Sequence, residues 1–184
     1  MVDPLEAHRR AQDAFAHVLS SVSDDQLDGS TPCPEWRVRD LVAHVIDGNR
    51  RTATGAAPLS SRDETAAGLV ALHAESATAA NAAFEAPDGL TRTYEFPLGA
   101  VPGSRMIGMR TTDVLTHAWD LARATAQPTD DIDGELATEL LAASRGWVPP
   151  EFRGPGKPFG DEQPCGPDAS PSDRLAAFLG RRQA

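Results

Sequence analysis

Arg110-Thr111-Thr112-Asp113-Val114-Leu115-Thr116-His117-Ala118-Trp119-Asp120-Leu121-Ala122-Arg123-Ala124-Thr125 carries both a helical period and two potential metal ligands. The pattern predicts a helix from about Ser104 to Ala126, ended by Gln127-Pro128 because proline cannot continue it. Asp113 and His117 are i and i+4, so their side chains share one face at a separation suited to one ion. Met106, Met109, Leu121 and Ala124 lie near the same stripe, which turns that face inward. Burying a carboxylate there costs several kcal/mol unless a cation or strong hydrogen bonds compensate it, and a divalent metal would do so.

A third ligand is available upstream. Trp36-Arg37-Val38-Arg39-Asp40-Leu41-Val42-Ala43-His44-Val45 predicts a second helix whose Val38, Leu41, Val42 and Val45 form an apolar stripe, with His44 at its border. Arg37 is a poor N-cap, so contacts from Trp36 are expected to fix the helix entry. Gly48, one turn beyond His44, is read as leaving the space beside the imidazole open. Two imidazoles and one carboxylate are the ligand count of catalytic metal sites, which keep a position for water or substrate. The same spacing also suits an Asp–His pair that is merely hydrogen-bonded or salt-linked, with His44 a satisfied core residue. Asp120 is read as orienting an imidazole from outside the ligand set or as structural.

The rest of the chain predicts further helices. Leu5, His8, Ala11, Phe15, Val18, Leu19 and Val22 recur at helical spacing after Pro4. Asp24 to Pro34 reads as a loop. An alanine-rich helix is expected from about Arg62 to Glu85, and a strand or short hairpin from Thr91 to Phe96. Helices from Gly134 to Arg145 and from Ser172 to Leu179 flank a turn-rich stretch from Trp147 to Pro167, which either closes over the ligand end or packs along the bundle. The chain is therefore expected to be mostly α, one domain over 1–184, with a core bundle over about 1–127 and C-terminal helices with an irregular extension over about 128–184. His8, His17 and His73 lack paired carboxylates and read as structural or solvated. Cys33, between two prolines, lacks a sequence-local base and reads as a small buried apolar residue.

Composition excludes some classes. A formal charge of -10 and a pI near 4.8 repel a phosphate backbone, so nucleic acid is not an expected partner. No run of about 18 apolar residues suggests a membrane span, and the start lacks the pattern of a signal peptide, so a cytoplasmic location is expected. Two cysteines, Cys33 and Cys165, make no disulfide scaffold. Alanine-rich outer faces suit dimerising bundles, and a homodimer is expected without an assignable interface.

Thr31-Pro32-Cys33-Pro34-Glu35-Trp36-Arg37-Val38-Arg39-Asp40-Leu41-Val42-Ala43-His44, taken with Asp113-Val114-Leu115-Thr116-His117-Ala118-Trp119-Asp120-Leu121-Ala122, resembles the actinobacterial metal-binding branch of the DinB-like superfamily. That branch includes mycothiol-dependent maleylpyruvate isomerase and related thiol-dependent transferases. The resemblance implies a four-helix bundle holding a divalent metal, zinc or nickel, through His44, Asp113 and His117. Many DinB-like proteins have histidine where Asp113 stands, and maleylpyruvate isomerases have glutamate. It also implies a mycothiol-type thiol that, bound as thiolate at the metal, adds to or displaces from a small electrophilic substrate, with Arg105 or Arg110 pairing with an anionic group. The rival readings are a metal-dependent hydrolase with water as nucleophile and a non-catalytic metal- or small-ligand-binding bundle. A solvated helix face explains the two arginines equally well.

Overall fold

The computed structural model describes residues 2–55, 64–95, 99–130, 132–154, 157 and 159–182. Among the described residues six α-helices follow one another: α1 (Pro4–Leu19), α2 (Val38–Thr54), α3 (Ala66–Glu85), α4 (Gly103–Ala124), α5 (Gly134–Trp147) and α6 (Pro171–Phe178). Between α3 and α4, β1 (Thr93–Tyr94) and β2 (Val101–Pro102) make a minimal antiparallel hairpin in the region where the sequence alternates. Short 3-10 turns occupy Asp24–Gln26 and Pro150–Phe152.

Helices α1 to α4 form a four-helix bundle. Around it, α1 packs against α4 and α3, and α2 against α3 and α4, so α2 and α4 meet as the paired-ligand reading requires. Helices α5 and α6 pack together and rest on α1 and α4. One apolar cluster joins Phe15, Leu41, Ile46, Leu69, Leu115 and Trp119 of the bundle to Leu136, Leu175 and Phe178 of the C-terminal helices. Trp119 also donates from Nε1 to Asp173 Oδ1 at 2.7 Å, tying α4 to α6.

The helix ends show where local chemistry overrides periodicity. Helix α1 stops at Leu19 rather than Val22 because Ser20 turns its hydroxyl back to the His17 carbonyl, and tighter turns carry Ser21 and Val22. Val22 stays buried regardless, which is why it reads as part of the stripe. Thr65 caps α3 by accepting from the Gly68 amide, so the helix begins at Ala66; Arg62 and Asp63 lie outside the described residues. Helix α4 ends two residues earlier than expected: Ala126 turns left-handed (φ 56°) and Gln127 N–H closes onto the Ala122 carbonyl, a glycine-type termination made by alanine. The free amides entering α2 are taken by loop carbonyls, Val38 N–H by Gly29 and Arg39 N–H by Leu27, while Thr31 Oγ1 holds the Trp36 carbonyl.

The bundle interior is not wholly apolar. His8 donates from Nδ1 to Asn81 Oδ1 (2.7 Å) and accepts at Nε2 from Gln12 (3.3 Å). Gln12 and Asn49 exchange reciprocal amide bonds at 2.8 and 3.1 Å, and His73 Nε2 donates to Gln12 Oε1 at 3.1 Å. Each donor finds an acceptor only with both rings neutral. Burial accordingly pushes both histidines down from 6.5 to about 4. The unfolded chain therefore takes up protons here from about pH 6.5 downward, whereas the folded chain resists until about pH 4. Stability falls as pH falls through that window, by up to about 1.4 kcal/mol per pH unit for each ring. Urea unfolding across the window measures the slope, and His73→Gln is expected to remove half of it.

Candidate metal centre

Helix α2 presents His44, half-buried, toward α4. Helix α4 answers with Asp113 and His117 one turn apart, as the i, i+4 spacing dictates. His44 Nε2 stands 3.4 Å from Asp113 Oδ2, and His117 Nε2 stands 3.4 Å from Asp113 Oδ1. Ligand atoms of all three residues lie within 4.8 Å of one another. Two ligands about 2.0–2.1 Å from a tetrahedral zinc are about 3.3 Å apart, which matches each of these two distances, one to each oxygen of Asp113. The ring of Trp36 lies over both imidazoles, 4.6 Å from His44 and 5.5 Å from His117 between centroids. It closes one side of the cluster, while a third of the Asp113 side chain remains open to solvent.

Charged and polar neighbours behind the cluster set its orientation. His117 Nδ1 donates to Asp120 Oδ2 at 3.0 Å, which fixes the proton on Nδ1 and turns Nε2 toward Asp113. Asp120 is fully buried and is neutralised by Arg181, whose Nη2 and Nε reach it at 3.0 and 3.2 Å. Cys33 donates to the same carboxylate (3.5 Å to Oδ2) and touches Arg181 Nη2 at 3.7 Å. Cys33, His117 and Asp120 also have ligand atoms within 4.8 Å of one another, but there the Arg181 guanidinium supplies the positive charge.

Burial pushes the Asp113 carboxyl up, yet Arg110, His117 and His44 outweigh it and hold it well below its usual range. Burial pushes His117 down, and the Asp113 charge with hydrogen bonds to Asp113, Asp120 and Cys33 more than reverses this. The protonated ring donates on both sides. A cation between His44, Asp113 and His117 would replace only the Nε2 proton.

Several sequence readings change. Arg110 is not on a solvated face: it is buried, and Nη1 pairs with Asp113 Oδ2 at 2.6 Å. Arg110 is thus the cation that compensates the buried Asp113, so burial by itself does not require a metal there, and only the spacing of the ligand atoms speaks for one. Gly48 does not leave open space beside His44, because the Arg110 guanidinium fills it, 2.4 Å from where a Cβ would stand. Arg105 is exposed on α4, apart from this contact. Cys33 is half-buried beside a carboxylate and a guanidinium rather than in an apolar setting. Both cysteines are free. Of the turn-rich stretch, Trp147 packs edge-on to Phe159, Arg153 lies over Phe178 and Gln163 N–H bonds the Ala177 carbonyl, so its described residues lie along α6. His8 and His73 are buried, and His17 is exposed.

Arg181, Gln12 and Asn49 escaped the sequence reading. Gln12 follows His8 by four residues on the buried face of α1, and Asn49 follows Ile46 by three on the stripe of α2, so an amide at a core position was the available signal. Arg181 carries no local pattern at all. No helix among the described residues is long and apolar enough to cross a membrane.

Comparison with known proteins gives the family and the fold. Two "uncharacterized" proteins of Mycobacterium tuberculosis, from strains CDC 1551 / Oshkosh and ATCC 25618 / H37Rv, are each 56% identical over 180 residues, covering 98% of both chains. The crystal structure of mycothiol-dependent maleylpyruvate isomerase shares the fold with TM-score 0.58 at 22% identity, over 77% of this chain and 67% of that one. A mutant of that isomerase superposes equally well, at 21% identity over the same shares. Residues 8–122 match the model of the mycothiol maleylpyruvate isomerase N-terminal domain. With α2 and α4 through Ala122 inside that match, as are His44, Asp113 and His117, the chain belongs to the mycothiol maleylpyruvate isomerase N-terminal domain family.

Proposed function

We propose that this chain is a metal-dependent enzyme that uses a mycothiol-type thiol in a transferase or isomerase-like reaction on a small electrophilic substrate. Family membership and the shared fold support a mycothiol-related, isomerase- or transferase-like activity. The single observation that carries the metal is the convergence of His44, Asp113 and His117 at ligand spacing, with His117 oriented by Asp120. Zinc is the expected ion, since two imidazoles and a carboxylate with a free position are a donor set it accepts; nickel fits the same ligands.

When bound, the metal lowers the pKa of a coordinated thiol and so supplies a thiolate nucleophile near neutral pH. The chain's own residues do the rest. His44 and His117 direct nitrogens at one point from two helices, Asp120 keeps the His117 proton on Nδ1, and Trp36 shields the imidazoles from water. The exposed edge of Asp113 marks the side from which a small molecule reaches the centre. The reaction is placed in the cytoplasm, where such thiols are kept reduced.

A second reading has one observation in its favour: Arg110 and Arg181 already balance both carboxylates, so the cluster can persist as an ion-pair network in a small-ligand-binding bundle without a metal. Elemental analysis of protein purified without a histidine tag separates the two. The native chain is expected to hold close to one zinc or nickel per chain, and His44→Ala and His117→Ala to hold less than about a tenth of that while keeping their helical content. A native chain that stays metal-free after incubation with zinc, nickel and manganese would sink the enzymatic reading. A metal-loaded chain that consumes no thiol in a screen of electrophiles but hydrolyses them would point to the hydrolase.

A further inference from the structure

With His117 neutral, as a ligand must be, four charges meet at the centre besides the metal's own. Asp113 is paired with Arg110 and Asp120 with Arg181, so the protein side of the cluster sums to zero. Arg110 is held in place from behind: Nη2 donates to the Val45 carbonyl and to Asn49 Oδ1, both at 3.3 Å, and Asn49 is itself fixed by Gln12. Gly48 provides the room, since a side chain there would collide with the guanidinium. The Arg110 Nε is buried without an acceptor among the described residues.

We propose that Arg110 is a positioning residue that sets the charge of the metal centre: by neutralising Asp113 it leaves a bound divalent ion with its full double charge, and so selects an anionic sulfur over a neutral ligand at the open position. The inference rests on the metal reading above. Neutral imidazoles contribute no charge, and the only carboxylate among the three ligands is already paired. A thiol that gives its proton to the buffer and binds as thiolate removes half of the excess, whereas a neutral donor removes none. The same guanidinium weakens the hold of Asp113 on the metal, so its two effects have opposite signs. A merely structural support would act on both in the same direction.

The test uses the full chain loaded with cobalt(II), whose visible absorption reports coordination and whose sulfur-to-cobalt charge-transfer band reports thiolate. Mercaptoethanol and imidazole are titrated at one fixed pH into the native protein, Arg110→Gln and Arg110→Lys. In Arg110→Gln, cobalt is expected to bind at least as tightly as in the native chain and mercaptoethanol about tenfold more weakly, the order expected for removing one unit charge near a half-buried anion. Imidazole affinity is expected to stay within about twofold. Arg110→Lys restores thiol binding. Asn49→Asp, which sets a negative charge against the guanidinium without removing it, is expected to weaken thiol binding in the same way and serves if Arg110→Gln does not fold. Unchanged thiol affinity in cobalt-loaded Arg110→Gln overturns this inference alone. Loss of cobalt, or equal weakening of imidazole, overturns it in favour of a structural role. A native chain that takes up no cobalt overturns the metal reading as well.

Discussion

Replacing Arg181 with methionine is expected to destabilise the chain by about 3–5 kcal/mol, the cost of leaving a buried charge without its partner. Asp120 has no exposed surface, and Arg181 supplies its neutralising charge through a two-nitrogen contact from beyond the end of α6. Methionine fills a similar volume but gives no charge. The remaining contacts of Asp120, from His117 Nδ1 and the Cys33 thiol, are single hydrogen bonds, and a protonated His117 recovers only part of the loss. Urea unfolding is expected to show a lower midpoint at unchanged slope. Arg181→Met with Asp120→Leu is expected to cost less than Arg181→Met alone, because removing both charges leaves none buried. Equal stability of Arg181→Met and the native chain would mean that the C-terminal residues do not hold Asp120 in solution.

Gly48→Ala is the second large effect, expected near 3 kcal/mol from the loss of buried, charge-assisted contacts. A Cβ at this point on α2 stands 2.4 Å from Cζ and both Nη atoms of Arg110. A long side chain on the surface would move aside at little cost. Here the guanidinium is locked between Asp113, Val45 and Asn49, so moving it breaks the ion pair with Asp113 and strips Asn49 of a donor. The pair is strongly coupled, so Arg110→Gln is expected to add less than about 1 kcal/mol once Gly48 is alanine, and a double-mutant cycle of unfolding free energies reads this directly. Full additivity would show that Arg110 does not occupy the space over Gly48.

Family membership was legible in two short stretches, and the structure brings them together through the contact of α2 with α4. The second is helical throughout and the first from Val38 onward, and an i, i+4 relation along one helix is a matter of local geometry that periodicity reports without knowledge of the rest of the chain. The limits of α1, α3 and α4 were less legible, because they depend on one hydrogen bond donated by the Ser20 hydroxyl, one accepted by the Thr65 hydroxyl, and the left-handed turn of Ala126.

The sequence by itself determined that the chain is mostly helical, that Asp113 and His117 share a face, and that His44 sits on an amphipathic partner helix. Only the tertiary structure decided which cation compensates each carboxylate. Arg110 is three residues from Asp113, yet whether it points to solvent or into the bundle depends on Gly48 and Asn49 of another helix. Arg181 reaches Asp120 across 61 positions of sequence. Helical period is set by the backbone within a few residues, whereas charge compensation is set by which side chains meet once the helices pack.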